Sequence, residues 1–354
     1  MFSHNYRGVR LEIRKVQEMG GGTLLVSIPK AWGYRHKISK GSFITIEESK
    51  DGRLILDPHP KEEEAPQVAV IGYPFESIEY VEWGLIGAYL LGYDHIRIEA
   101  NKIDSAERVR IKDTIQNLIG LEILEETTDA VKAQCLIDPS LVNPLSLIQR
   151  KKVITISMLK DVMTSLLGSD RDLVRTVIRR DDEVDRIYFL LVRLLRSAVQ
   201  NPRTAEKFDI TTLDCLDYRL VAALMESIAD HITSIAQELL NLLDLELDKE
   251  FLESLSQAFE ILEEMLMLSI DGFLAQEIKA IQEVRDKHSF LTRLLETIKN
   301  GFDKLATPQS PSWSVLFSYM RYIGRDCVDI VDLIPPNQIL TVHRGKASRN
   351  NGCY

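Results

Sequence analysis

An apolar stripe with helical spacing runs along the segment that begins near Arg171, and it restricts that segment to a long amphipathic helix. At about 100° per residue, seven residues fall within roughly 80° of Val184: Val177, Ile187, Tyr188, Leu191, Leu194, Leu195 and Ala198. A second stripe lies in residues 223–240, on Ile228, Ile232, Ile235 and Leu239. Both segments are therefore predicted to be long helices that bury one face.

Each of these helices carries two acids one turn apart, Asp181 and Asp185 on the first and Glu226 and Asp230 on the second. Residues i and i+4 lie on one helix face, and both pairs flank the apolar stripe rather than lie within it. Four carboxylates can thus gather where the two helices meet, and hard cations prefer carboxylate oxygens. The alternative is that all four are solvated acids on ordinary amphipathic helices.

The sequence around these acids resembles the metal-bearing helices of the PhoU family, which are phosphate-signalling proteins built from two three-helix bundles. The resemblance is carried by RRDDEVDRIYFLLVRLL (179–195) and ALMESIADHITSIAQELL (223–240). It implies that residues 151–335 are all-α, with tandem bundles at 151–247 and 248–335. It also implies a phosphate transporter ATPase or phosphate-signalling protein as partner, and a divalent or trivalent metal (iron, zinc or magnesium) at Asp181, Asp185, Glu226 and Asp230.

The second half of this helical region aligns with the first but lacks its acids. SYMRYIGRDCVDIVDLI (318–334) aligns Ile323-Gly324 with Ile228-Ala229, and AIQEVRDKHSFL (280–291) aligns Ile281 with Ile178. The four acid positions then hold Val284, His288, Arg321 and Arg325. A second cluster of the family type is therefore not expected.

Two further hypotheses concern this second half. Arg321 and Arg325 are candidates for a surface that binds an anion or nucleic acid, because paired guanidinium groups suit phosphate. Glu283, Asp286 and His288 are candidates for a separate metal site, and a solvated helix face is the alternative.

Residues 1–46 form a basic head on an acidic chain. Eight Lys or Arg against two Glu give this head a net charge of +6, whereas the whole chain carries −10. Such a head suits nucleic acid, because phosphate contacts supply most non-specific affinity. A solvated basic surface is the alternative.

The head has the pattern of a small β domain. VRLEIRKVQ and TLLVSI are predicted strands around a Gly20–Gly22 turn, and PKAWGYRH is a predicted short helix opened by Pro29. SFITIEE and RLILDP are predicted to form a hairpin across Asp51-Gly52. About fifty residues in short strands cannot enclose a good core, so pairing with a second copy is expected.

Residues 8–58 resemble the AbrB/SpoVT-like swapped-hairpin DNA-binding domain, through RKVQEMGGGTLLVSIPKAW and KGSFITIEESKDGRLILDP. The resemblance implies a homodimer in which two chains interleave into one small β-barrel over residues 1–58. It places the DNA contacts on Arg10, Arg14, Lys15, Lys30, Arg35 and Lys37. The same domain also occurs in antitoxins and as a pure dimerisation module, which is the alternative for the head.

A polar linker, residues 59–67, precedes a small α/β domain predicted at 68–150. VAVIG and HIRIE are strand-like, residues 78–92 and 109–118 have helical spacing, and residues 131–137 alternate as a late strand. This domain resembles the segment that joins the two families in archaeal fused regulators. Ligand sensing and dimer packing are both open as its role, and residues 336–354 are predicted to be a disordered tail.

Composition narrows the classes of protein further. The longest apolar runs fall short of the roughly 18 residues of a membrane span, and the first residues lack the apolar stretch of a secretory signal. A cytoplasmic protein without membrane insertion is expected. No C-x-x-C occurs, so the cysteines are expected to stay reduced: Cys135, Cys215, Cys327 and Cys353.

The chain shows no signature of an enzyme. It has neither the Glu-x-x-His motifs of di-iron carboxylate bundles nor a recognisable nucleophile-and-base motif. The predicted function is a phosphate-linked transcription regulator whose head binds DNA and whose helical region senses phosphate status. The alternative is an adaptor that controls a phosphate ABC transporter, with the head serving only dimerisation.

Overall fold

The computed structural model describes residues 12–48, 52–58, 66–72, 77–303 and 310–335. The chain divides into two compact units, residues 1–65 and 66–354. Several sequence predictions lie outside the described residues: those for Arg10, for Asp51, for most of the linker and for the tail at 336–354.

The first unit contains two separate antiparallel hairpins. Strands β1 (Gln17–Met19) and β2 (Thr23–Leu25) pair around a turn at Gly20–Gly22. Gly21 and Gly22 have φ of 102° and 88°, a backbone region that favours glycine. Strands β3 (Thr45–Glu48) and β4 (Leu54–Asp57) form the second hairpin, as the sequence predicted.

The first predicted strand is shorter than expected. The segment VRLEIRKVQ was predicted to be extended, but within residues 12–16 the chain forms no strand, and β1 begins only at Gln17. The hairpin register explains the difference, because Gln17 pairs with Leu25, the last residue of β2. After Leu25, residues 26–29 of the same chain form no strand and lead into helix α1 (Lys30–Arg35), which follows Pro29.

The first unit has no buried core in its described part. None of its described side chains is buried, and Ile13 and Phe43 are 91% and 80% exposed. The predicted barrel would need strands from a second chain, and the single chain has two hairpins instead of a barrel. Burial of such apolar surface is the main driving force of folding, so this unit as a single chain leaves much of that stabilisation unused.

The second unit begins with a four-stranded sheet in the order β5-β6-β8-β7. β5 and β6 are parallel, and the other neighbours are antiparallel. Two helices cover one face, with Leu85 and Ile111 packed against Ile98 and Val131. The elements are β5 (Val68–Gly72), α2 (Ile78–Leu90), β6 (His95–Glu99), α3 (Ser105–Gln116), β7 (Leu121–Glu126) and β8 (Ala130–Cys135).

Sequence reasoning missed strand β7. Its sequence, LEILEE, is rich in acids, which are usually depleted in strands. Its acids are accommodated because β7 is an edge strand: Glu126 pairs with Arg108 and Lys112, and Glu125 pairs with Lys132.

In the described part of the second unit, seven α-helices follow the sheet, and six of them form two three-helix bundles. α4, α5 and α7 pack together, as do α8, α9 and α10. α7 packs on α10 and α4 on α8, so the two bundles share one apolar core. The helices are α4 (Pro144–Gly168), α5 (Arg171–Gln200), α6 (Pro202–Phe208), α7 (Thr212–Leu239), α8 (Lys249–Ala275), α9 (Lys279–Asp303) and α10 (Ser310–Asp332).

Two of the predicted boundaries lie differently with respect to the helix ends. The boundary predicted between residues 150 and 151 falls inside α4, which starts earlier because Asn143 caps it and Pro144 occupies its first turn. The boundary predicted between residues 247 and 248 coincides with the start of α8, where Asp248 accepts a hydrogen bond from the Phe251 amide at 2.8 Å.

Arg193 links the α/β layer to the helical bundle through hydrogen bonds. This side chain of α5 is 2% exposed, and its guanidinium donates hydrogen bonds to the backbone carbonyls of Tyr89, Gly92 and Tyr93. The shortest, to Tyr89, is 2.6 Å. Among the described residues, no helix is both long and apolar enough to cross a membrane.

Candidate metal centre

The predicted acids lie along the seam between α5 and α7. The apolar stripes bury as expected, with Val184 and Ile228 both at 0% exposure, and this fixes the rotation of each helix. Asp181 and Asp185 are consequently half-buried at the edge of the core, while Asp230 is exposed on the facing helix. The sequence therefore placed the acids correctly relative to the core.

Three of the four acids converge on one point. One carboxylate oxygen from each of Asp181, Asp185 and Asp230 lies within 4.8 Å of the others. Oxygen ligands of Mg²⁺ or Ca²⁺ sit about 2.0–2.6 Å from the ion, so ligands on opposite sides of it are roughly 4–5 Å apart. The geometry therefore fits a single hard cation.

A buried polar atom supports the same fit. Asp181 Oδ1 is buried and accepts no hydrogen bond of normal geometry within the described part of the chain, although the Thr233 hydroxyl is near enough to lower the pKa of Asp181. Leaving a buried carboxylate oxygen without a partner is costly, and a cation at this position would remove that cost.

The acids also repel one another in the absence of a cation. Burial raises the pKa of Asp181 to about 6, and the charge of Asp230 adds to the effect. Burial, followed by a hydrogen bond and charge from Glu226, raises the pKa of Asp185 to about 8. Burial and the charge of Glu226 also raise the pKa of Asp230. Perturbed carboxylates of this kind are common at functional sites.

Glu226 does not belong to the converging group, so the structure brings together three of the four predicted ligands. Its carboxylate forms an ion pair with the Lys151 ammonium, a residue of α4 that is 0% exposed. Lys151 Nζ also lies 3.4 Å from the Ala222 carbonyl oxygen and 4.9 Å from the centre of the Tyr188 ring. Burial lowers the pKa of Lys151, while Glu226 acts in the opposite direction.

Sequence reasoning missed Lys151, although its position carries a signal. Leu147, Ile148, Thr155 and Met158 lie three, four or seven residues away on the same face of α4, and all are buried. A lysine on such a face needs a partner, because an unpaired buried charge is very costly. The identity of that partner depends on the packing of α4 against α7, which the sequence does not show.

The second bundle does not assemble the alternative metal site. Among the described residues, Asp181, Asp185 and Asp230 are the only group of three or more His, Cys, Asp or Glu that converges closely enough for a metal ion. Val284 is fully buried, whereas Glu283 and Asp286 are exposed. Glu283, Asp286 and His288 therefore do not form a metal site in this structure.

The two arginines of the second bundle are placed differently from each other. Arg325 is exposed, with its guanidinium 5.9 Å from the centre of the Tyr322 ring, whereas Arg321 is half-buried. Their role in anion or nucleic-acid binding stays a hypothesis.

Five of the six predicted DNA contacts lie in the described part of the first unit. Lys15, Lys30, Arg35 and Lys37 are exposed. Arg14 forms an ion pair with Glu12, so its charge is locally neutralised. The sixth, Arg10, lies outside the described residues.

Comparison with known proteins relates the segment that carries the candidate metal centre to one family. Residues 148–239 match the family model of the PhoU domain. The match includes all four predicted acids, and Lys151 as well. No curated protein matches the chain.

Solved structures that are similar to the chain include two PhoU proteins. PhoU from Pseudomonas aeruginosa is 13% identical, covers 55% of this chain and 95% of its own, and has a TM-score of 0.49. The phosphate transport system regulatory protein PhoU from Streptococcus pneumoniae is 12% identical, covers 53% of this chain and 90% of its own, and has a TM-score of 0.46.

Proposed function

We propose that this protein is a phosphate-responsive regulator that holds a cation in its helical unit and binds promoter DNA, as a homodimer, through its first unit. The observation that carries the proposal is the convergence of Asp181, Asp185 and Asp230 within the segment that matches the PhoU domain. A cation at this point would join α5 to α7. The donor set consists of oxygen atoms, which favours hard cations such as magnesium or iron over zinc.

The first unit supports the DNA-binding and dimer parts of the proposal. Its described cations Lys15, Lys30, Arg35 and Lys37 are exposed, as phosphate contacts must be. Its apolar side chains, among them Leu24 and Ile46 at 67% and 61% exposure, need a partner surface. A second copy of the swapped-hairpin type would cover them and would bring two basic surfaces together.

The proposed regulation requires that the cation favour one arrangement of the helices over another. Only such a differential affinity can shift an equilibrium, and it would change the spacing of the two DNA-binding units. A phosphate-bearing ligand or a transporter-associated partner could act on the same equilibrium.

The alternative is an adaptor that controls a phosphate transporter, with the first unit serving only dimerisation. One observation favours it: the family match lies wholly in the helical region, and the exposed apolar side chains of the first unit account for dimerisation without DNA. Direct DNA binding separates the two functions.

The deciding experiment selects genomic DNA fragments with the full-length protein and with a chain that begins at Pro66, at two salt concentrations. Enrichment of phosphate-transport promoters by the full-length protein alone, weaker at high salt, is the expected result. Equal enrichment by both proteins, or none by either, would contradict the DNA-binding proposal.

Two matched variants test whether DNA binding depends on the position of the basic side chains or only on the net charge of the protein. Arg35→Glu with Lys37→Glu should weaken DNA binding by about tenfold or more, because phosphate contacts are lost. Lys249→Glu with Lys279→Glu changes the net charge equally at two exposed sites of the helical unit and should have little effect. Equal losses in both variants would mean that binding reflects net charge alone.

Pairing of the first unit is tested by sedimentation. Leu24→Asp with Ile46→Asp places charges on the exposed apolar side chains and should convert the dimer to a monomer. Val153→Asp changes a 63% exposed residue of α4 and serves as the control. A dimer that survives the double substitution would rule out pairing through this surface.

A further inference from the structure

We propose that Lys151 is a built-in cation of the acid cluster, which withholds Glu226 from the metal ion and so sets the ligand number and the affinity of the centre. The inference rests on the proposed metal centre at Asp181, Asp185 and Asp230. It assigns a role to a lysine that lies on a different helix from all four acids.

The surroundings of Lys151 hold its ammonium in place. The side chain is fully buried in α4, and its Nζ contacts the Glu226 carboxylate, the Ala222 carbonyl and the face of the Tyr188 ring. A buried ammonium can be accommodated only where partners of this kind replace its water. Swinging out towards solvent would break all three contacts.

The same contacts keep Glu226 away from the ion. Its Oε2 faces Lys151, while the converging oxygens of Asp181, Asp185 and Asp230 form a group without it. Glu226 nevertheless lies close enough to hydrogen-bond with Asp185. Glu226 is therefore a reserve ligand: it lies next to the three converging acids, and its ion pair with the Lys151 ammonium keeps it from joining them.

Charge leads to the same conclusion. With all four acids ionised, as ligands to a cation must be, four carboxylates and one ammonium carry a formal charge of −3, and without the ammonium the charge would be −4. Ligand charge count is a main determinant of affinity in oxygen-ligand cation sites. An ammonium that also interacts with Asp185 and Asp230 lowers the attraction of the centre for a cation. A weakened centre exchanges its ion readily, which suits a sensor better than a store.

The test is a titration of metal-depleted, full-length protein with Mn²⁺, with free Mn²⁺ followed by electron paramagnetic resonance. Lys151→Met keeps the length of the side chain and removes its charge, so Glu226 becomes available. Affinity should rise about tenfold or more, because the site gains a ligand and loses a repelling charge. Lys151→Gln tests the same change with a polar side chain in case the first variant fails to fold, as judged by circular dichroism.

A double substitution shows whether the effect passes through Glu226. Lys151→Met with Glu226→Gln restores the formal charge of −3 and removes the reserve ligand. Its Mn²⁺ affinity should return to within about threefold of the unaltered protein, since ligand number and charge are both restored. An affinity that stays raised in the double variant would overturn the proposed role of Glu226.

The outcomes separate this inference from the proposed metal centre. If Asp185→Ala with Asp230→Ala leaves Mn²⁺ binding unchanged, the metal centre itself is wrong. If that variant loses binding but the folded Lys151 variants bind Mn²⁺ no more tightly than the unaltered protein, the centre stands and the role of Lys151 is overturned.

Discussion

The two three-helix bundles have the same architecture but different chemistry at their seams. Ile228 of α7 and Ile323 of α10 are equivalent by sequence alignment, and both are fully buried. The positions that hold Asp181 and Asp185 in the first bundle hold Val284 and His288 in the second. The comparison teaches that the buried stripe maintains the fold, whereas the flanking positions accept either acids or other side chains without changing it.

The bundles also meet at equivalent positions. His231 of α7 and Asp326 of α10 occupy corresponding places in the alignment, and His231 Nε2 lies 3.7 Å from Asp326 Oδ2. The His231 ring also packs against Tyr319 and Tyr322 of α10. The contact between the bundles is therefore formed by the same surface of each repeat, with different side chains.

The largest expected difference between the bundles is in cation binding. Asp185→Ala with Asp230→Ala removes two of the three proposed ligands and should weaken Mn²⁺ binding on the order of 100-fold or more. Without added metal, DNA affinity in a mobility-shift measurement should match that of the unaltered protein, because the first unit is untouched, whereas any response of DNA binding to the cation should be lost. Arg321→Ala with Arg325→Ala is the matched control in the second bundle and should not alter Mn²⁺ binding. A comparable loss in the control would mean that binding is not localised to the first bundle.

The second prediction concerns the position equivalent to Asp181. Val284 is 0% exposed, so Val284→Asp buries a carboxylate without a partner and should lower the free energy of unfolding by about 3–5 kcal/mol. Urea unfolding measures this change. Ser289→Asp places the same charge at an exposed site of α9 and should change stability by less than about 0.5 kcal/mol. Equal effects would show that the seam of the second bundle tolerates acids.

The third prediction is that Asp185 and His288, which are equivalent in the alignment, make stability depend on pH in opposite directions. In the first bundle, the pKa of Asp185 is raised to about 8 by burial and Glu226. The stabilisation that Asp185 gives the folded state is fully present below about pH 4, the pKa of this side chain in the unfolded chain. It is lost as pH rises to about 8. In the presence of a chelator, the free energy of unfolding should fall between pH 4 and 8, and Asp185→Asn should remove on the order of 2 kcal/mol of that fall. The expected value is modest because solvent screens a half-exposed site.

His288 of the second bundle provides the contrast. Burial lowers its pKa, so the unfolded chain binds its proton more tightly than the folded chain does. Its contribution to stability therefore increases as pH rises towards its unfolded pKa of about 6.5. His288→Asn should remove that increase, as measured by urea unfolding between pH 4 and 8. If Asp185→Asn or His288→Asn leaves the slope of unfolding free energy against pH unchanged, the pKa shift assigned to that residue is wrong.

The smallest expected effect is at a single equivalent pair of small residues. A Cβ on Gly324 would lie 3.0 Å from Leu291 Cδ2 and 3.1 Å from His288 Cδ2, whereas Ala229 already carries one in the first bundle. Gly324→Ala should change stability by less than about 1 kcal/mol, because better helix propensity offsets the tight contact. Ala229→Gly should cost about 1–2 kcal/mol. Thermal unfolding compares the two, and a larger loss for Gly324→Ala would mean that the α9–α10 contact cannot adjust.

The local elements followed from the sequence where a strong local signal existed. Helical periodicity located α5 and α7, and Pro29 located the start of α1. The early start of α4 was missed, although Asn143 and Pro144 signal it, and the acid-rich edge strand β7 was missed as well. The predicted barrel of the first unit would depend on a second chain, and the described part of this single chain contains only two hairpins.

The sequence by itself determined which face of each helix is buried and that two acid pairs flank those faces, because a helix turns by a fixed angle per residue. Only the tertiary structure decided that Asp181, Asp185 and Asp230 converge while Glu226 turns to Lys151. Lys151 and Glu226 are 75 residues apart in the chain. Their contact depends on how α4 and α7 are aligned along their axes, and the packing of whole apolar faces sets this alignment, which no local pattern encodes.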